Sequence, residues 1–110
     1  MAIATRTTDP IAASLACLHG HLPPGSRVIV FGSQARGEAR EDSDLDLLVV
    51  EPEVLNRFDE MARLASLLGR ELIPADVVVM SDEAFEQERI QQNTLAWRAA
   101  REGLFHAFPQ

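Results

Sequence analysis

Gly32 and Ser33 close an apolar run over 28–31, and ten residues later Asp44-Leu45-Asp46 opens another over 47–50. A Gly-Ser turn at the end of a strand presents backbone N–H groups that donate to phosphate oxygens. Residues two apart in a strand point to one face, so Asp44 and Asp46 would stand together, with Cα atoms about 6.6 Å apart. Two carboxylates about 4 Å apart repel by about 4 kcal/mol at an effective dielectric of about 20. A bound cation reverses that sign. Mg²⁺ is commonly held by one or two carboxylates, with water and substrate phosphates in its other positions, so the pattern calls for a phosphate-bearing substrate.

A third acid is available. Asp76 begins the run ADVVVM over 75–80, just after Pro74, a residue tolerated at the start of a strand. If that strand pairs beside the one carrying Asp46, the three carboxylates converge. Two metals about 3.5–4 Å apart could then clamp an in-line displacement at phosphorus. Asp76 would hold the metal nearer the nucleophile and help take its proton. Taken singly, a Gly-Ser pair is a turn and Asp-x-Asp a solvated strand edge. Their conjunction with Arg36-Gly37, the ten-residue spacing and a later strand-borne Asp is what points to chemistry.

Phe31-Gly32-Ser33-Gln34-Ala35-Arg36-Gly37, followed by Ser43-Asp44-Leu45-Asp46-Leu47-Leu48-Val49, resembles the signature of the minimal nucleotidyltransferases of the DNA polymerase β superfamily. Asp76 and the ending Ala99-Ala100-Arg101-Glu102-Gly103-Leu104-Phe105 extend the resemblance over nearly all 110 residues. It implies an α/β, polymerase β-like nucleotidyltransferase fold, a small mixed sheet flanked by helices, in a single domain over 1–110. It also implies Asp44, Asp46 and Asp76 as catalytic metal ligands, Gly32, Ser33 and Arg36 at the nucleotide, a pair of Mg²⁺ ions as cofactor and ATP as substrate. Arg36 either reaches the triphosphate or pairs with a nearby carboxylate such as Asp42.

Many members of that group resemble the antitoxin half of HEPN/MNT toxin–antitoxin pairs, which silence a HEPN ribonuclease by moving AMP from ATP onto its tyrosine. The resemblance therefore implies a HEPN-type ribonuclease toxin as partner. This chain contains no tyrosine, so an acceptor tyrosine must belong to another protein. Two other functions stay open. One is an antitoxin that inhibits by binding alone, and the other a nucleotidyltransferase of small molecules such as aminoglycosides, a class that usually implies more protein than this.

Composition bounds these readings. The 110 residues are 46% hydrophobic, enough for one small domain with a modest core and no separate substrate lobe. A net charge of −7 argues against direct nucleic-acid binding, which needs clustered basic residues, and favours a basic protein partner. Cys17 is the lone cysteine, which excludes an intrachain disulfide and a cysteine zinc cluster. The N-terminus lacks the apolar core of a signal peptide, and no segment approaches the length of a membrane span, so a cytoplasmic protein is expected.

These residues must be positioned by an alternation of helices and strands. Asp9-Pro10 starts a helix over 10–19, with Ile11, Leu15 and Leu18 at helical spacing. Pro23, Pro24 and Gly25 turn into a strand over 27–31, and a charged loop over 36–42 leads to a second strand over 45–50. Leu55, Phe58, Ala62, Ala65 and Leu68, with Leu64 and Leu67 beside them, predict a helix ending at Gly69. After the third strand, Ser81 caps a helix with Asp82 and Glu83 in its first turn. Ile90, Thr94 and Trp97 continue a helical stripe to about Gly103, and 104–108 adds a short edge strand. His19, His21 and His106 have no ligand or triad spacing and are expected at the surface or in turns. Trp97 is expected in the core, or at an interface if exposed.

Overall fold

A computed structural model describes residues 9–32 and 44–108. Strands β1 (Ser26–Phe31), β2 (Leu45–Glu51), β3 (Ala75–Ser81) and β4 (Leu104–Phe108) form one sheet in the order β3-β2-β1-β4. β1 runs antiparallel to β2 and β4, and β2 runs parallel to β3, so the sheet is mixed as expected. A parallel neighbour needs a crossover. Helix α2 (Arg57–Arg70) supplies it.

Strands covered on both faces are apolar at nearly every position, and β1 and β2 are almost wholly buried for that reason. On one face Val28, Val30, Leu47, Val49 and Val79 pack against Leu18 of α1 (Pro10–Leu18) and Leu64 and Leu68 of α2. On the other, Ile29, Phe31, Leu48, Val50 and Met80 pack against Phe85 of α3 (Asp82–Glu88) and Ala96 and Ala99 of α4 (Leu95–Glu102). Arg27 of β1 pins α3 down, its guanidinium 3.0 Å from Asp82 and 5.1 Å from the Phe85 ring centre. The edge strand over 104–108 forms as expected, paired to β1. Among the described residues no helix is long and apolar enough to cross a membrane.

Two expectations are corrected. The inward face of α2 is not the stripe through Leu55, Phe58, Ala62 and Ala65. Leu55 is 102% exposed and Phe58 72%, whereas Leu64 and Leu68 are buried with Met61 and Leu67 beside them. Asn56 is the reason: its side chain accepts from the Phe58 and Asp59 N–H groups, so the helix begins after Leu55. The stretch from Ser81 to Gly103 is likewise two helices. Thr94 caps α4 by accepting from the Trp97 N–H, while its Oγ1 lies 2.9 Å from the carbonyls of Glu88 and Gln91. Asn93 adopts a positive φ of 72° at the break, and Ile90 points to solvent.

Smaller differences remain at the ends. β1 gains Ser26, β2 gains Glu51, β3 gains Ser81, and α1 stops at Leu18. His19 and His21 are exposed, but His106 is half-buried in β4 with a buried Nε2 that has no hydrogen-bond partner. Trp97 is half-buried, its ring centre 4.9 Å from the Arg101 guanidinium.

Candidate active site

The register of the three central strands decides which acids meet. Phe31 of β1 pairs with Asp46 of β2, and Asp46 pairs with Asp76 of β3. Paired residues share a face and neighbouring strands lie about 4.8 Å apart, so Asp46 and Asp76 stand side by side. They share the face of Ile29, Leu48 and Met80, at the end of β2 and β3 where the chain enters the sheet. At this end of the face the apolar side chains give way to the two carboxylates.

Gly32 follows β1 directly with a φ of +78°, a left-handed conformation that favours glycine. A Cβ built there would overlap the carboxylate of Asp46. The bare Cα of Gly32 therefore leaves room for the acid. Gly32, Asp46 and Asp76 line a cleft of about 330 Å³ with Phe31, Val78 and the α4 residues Leu95, Arg98 and Glu102.

Asp44 stands exposed immediately before β2 and is not among the residues lining this cleft. The ladder starts one residue later, with Leu45 donating to the Pro74 carbonyl at 3.1 Å, so Asp44 is not fixed beside Asp46 by strand pairing. Ser33, Arg36 and Asp42 lie outside the described residues. Arg98 and Glu102 escaped the sequence reading. Their signal is the spacing of Leu95, Arg98 and Glu102 on one side of a helix, legible only once the helix is started at Thr94.

The donor set suits a hard divalent cation. Two carboxylates on adjacent strands with space kept open by Gly32 match the one or two protein ligands that Mg²⁺ takes beside phosphates and water. Among the described residues no three His, Cys, Asp or Glu side chains are grouped to hold a metal by themselves. Such a site would be completed by its substrate.

Comparison with known proteins settles the family. A nucleotidyltransferase domain matches residues 17–102, most of the chain. The chain belongs to the nucleotidyltransferase domain family. Among solved structures, this nucleotidyltransferase is similar to a candidate nucleotidyltransferase from Sulfolobus solfataricus, with 21% identity and a TM-score of 0.51 over 87% of this chain and 71% of that one. It is also similar to a toxin–antitoxin structure with AMP-PNP, with 22% identity and a TM-score of 0.50 over 87% of this chain and 68% of that one. Both likenesses are of fold. None of the curated proteins compared matches the nucleotidyltransferase.

Proposed function

We propose that this nucleotidyltransferase transfers AMP from ATP to a hydroxyl, a tyrosine of a HEPN-type ribonuclease toxin, and acts as that toxin's antitoxin. The observation that carries the transfer is the pairing of Asp46 with Asp76 at a cleft kept open by Gly32. The similarity to a toxin–antitoxin structure with AMP-PNP, an ATP analogue, supports both the nucleotide and the kind of partner.

Asp46 and Asp76, with Asp44 at the approach, would hold a pair of Mg²⁺ ions. The metal, when bound, neutralises the triphosphate and polarises the bond to the leaving pyrophosphate. Around it the chain's own groups position the reactants. Backbone N–H groups from Gly32 onward would receive the terminal phosphates, and the Ser33 hydroxyl and Arg36 charge would be added as the family resemblance implies. Asp76, exposed on the β3 side, accepts the proton of the acceptor hydroxyl as oxygen attacks the α-phosphorus and pyrophosphate leaves. Arg98 is the one cation among the described residues lining the cleft, placed to meet phosphate charge from the α4 wall.

The test is label transfer from ATP labelled at the α-phosphate to a candidate HEPN ribonuclease, with Asp46→Asn and Asp76→Asn beside the natural chain. Both acids sit at strand ends, so each variant should fold and lose transfer by about a hundredfold or more, the usual cost of removing one group that stabilises transition-state charge. Transfer at the natural level by both variants would overturn the assignment.

A further inference from the structure

The far end of β2 carries an acidic feature that nucleotidyl transfer does not use. Glu51, the last residue of the strand, is only 3% exposed, yet its Oε2 has no hydrogen-bond partner. It lines a pocket of about 360 Å³ with Glu53, Leu55, Asp59, Glu60 and Arg63. Arg63 is already committed: its Nε and Nη2 donate to the two Glu60 oxygens at 2.9 and 2.7 Å, and Nη2 also donates to the His21 carbonyl at 2.8 Å. The rest of the Glu51 carboxyl shares a hydrogen bond with Glu60, another acid, so two buried or half-buried carboxyls stand together on one proton, a costly arrangement that an incoming cation relieves.

We propose that this pocket receives an arginine side chain of a protein partner, the guanidinium donating to Glu51 and its neighbouring carboxylates while apolar surface of the partner covers Leu55. A planar guanidinium carries five donors in a fixed fork and tolerates burial better than an ammonium, which suits adjacent carboxylates. A metal ion fits less well, since no three acids among the described residues are grouped to hold one. A free organic cation would leave Leu55 and Phe58, two of the most exposed apolar side chains described, in water. The net charge of −7 favours encounter with a basic protein surface. Glu51 lies five residues along β2 from Asp46, about 16 Å at the strand rise, so an occupant here leaves the nucleotide cleft open. The inference does not depend on nucleotidyl transfer.

Binding should also report on a proton. Burial, with Glu60 adding to it, pushes the Glu51 carboxyl up to about 8, while Arg63 holds Glu60 low. The other charged groups of the pocket are Glu53 and Asp59, and on β3 the residue opposite Glu51 is the uncharged Ser81. A guanidinium competes with the Glu51 proton, so affinity should rise between pH 6 and 8.

Isotope-labelled protein titrated with Nα-acetyl-arginine amide and followed by NMR tests this, with the neutral citrulline analogue and acetyl-Leu-Arg-Leu-amide alongside. Expected are saturable shifts at Glu53, Leu55 and Asp59 with the arginine compound and none with citrulline. Affinity should fall about tenfold in Glu60→Gln, and by a similar factor in the exposed variant Glu53→Gln, as charge-assisted bonds are lost. The tripeptide should bind more tightly than arginine amide, and Leu55→Ser should erase that difference. No saturable shift, or an equal response to citrulline, would overturn the site. A tripeptide advantage that is absent, or that survives Leu55→Ser, would overturn the protein origin of the guanidinium.

Discussion

A side chain at position 32 would stand where the Asp46 carboxylate already is, and the backbone there has a φ that only glycine adopts without strain. Gly32→Val should therefore do two things at once. It should destabilise the fold by about 1–3 kcal/mol through backbone strain and displace Asp46, the acid proposed to support transfer. Urea unfolding and an ATP titration read the two effects separately, and a variant with natural activity would show that the turn does not shape the site. Glu51 gives the second prediction at this scale. Its folded pKa of about 8 lies above the ordinary 4.5, so the native state holds a proton that the unfolded chain releases. The corresponding stability is complete below about 4.5 and is lost as pH rises towards 8. Glu60, shifted down, acts in the opposite direction, but below that window. Thermal midpoints between pH 5 and 8.5 should fall for the natural chain and stay nearly level for Glu51→Gln; parallel curves would remove Glu51 as the cause.

At the scale of elements, α4 brings Arg98 and Glu102 to the cleft, and Thr94 sets where that helix begins. Thr94→Ala removes a cap and the hydroxyl that reaches the Glu88 and Gln91 carbonyls, for a loss of about 1 kcal/mol. Faster amide exchange in the first turn of α4, with β1 and β2 unchanged, is the expected signature; uniform loosening of the sheet would contradict it. The sequence was readable where one local rule decided the outcome. The unbroken apolar run after Asp44-Leu45-Asp46 located β2, and the Pro74-Ala75-Asp76 start located β3. It was less readable where two rules competed. The apolar stripe through Leu55 and Phe58 obeys helical periodicity, but Asn56 takes the first N–H groups and starts α2 after Leu55, leaving both side chains in water. Ile90, Thr94 and Trp97 also keep helical spacing, yet Thr94 serves better as a cap than inside a helix, and Arg98 could not be placed until that break was known. The convergence of Asp46 and Asp76 was conditional on strand pairing, a long-range fact that local pattern does not contain.

Across the whole molecule, the Asp46–Asp76 cleft and the Glu51 pocket lie at opposite ends of β2, so the proposed acts of holding a partner and modifying it would be separable. The chain has no tyrosine of its own and a charge of −7, so under the proposed function both acts would be directed at another, more basic protein. If AMP transfer is what silences a ribonuclease partner, silence must outlast the complex. A partner incubated with ATP, Mg²⁺ and the natural chain, then stripped of it, should stay inactive and carry the added mass of AMP. The same partner held by Asp46→Asn should be inhibited, if at all, only while bound, and should regain activity on stripping with its mass unchanged. Omitting ATP or chelating the metal should reproduce the Asp46→Asn result with the natural chain. Mass spectrometry and a ribonuclease assay on the stripped partner decide the matter. Full recovery after treatment with the natural chain and ATP, with no mass gained, would assign inhibition to binding alone and leave the Asp46–Asp76 cleft without a part in silencing.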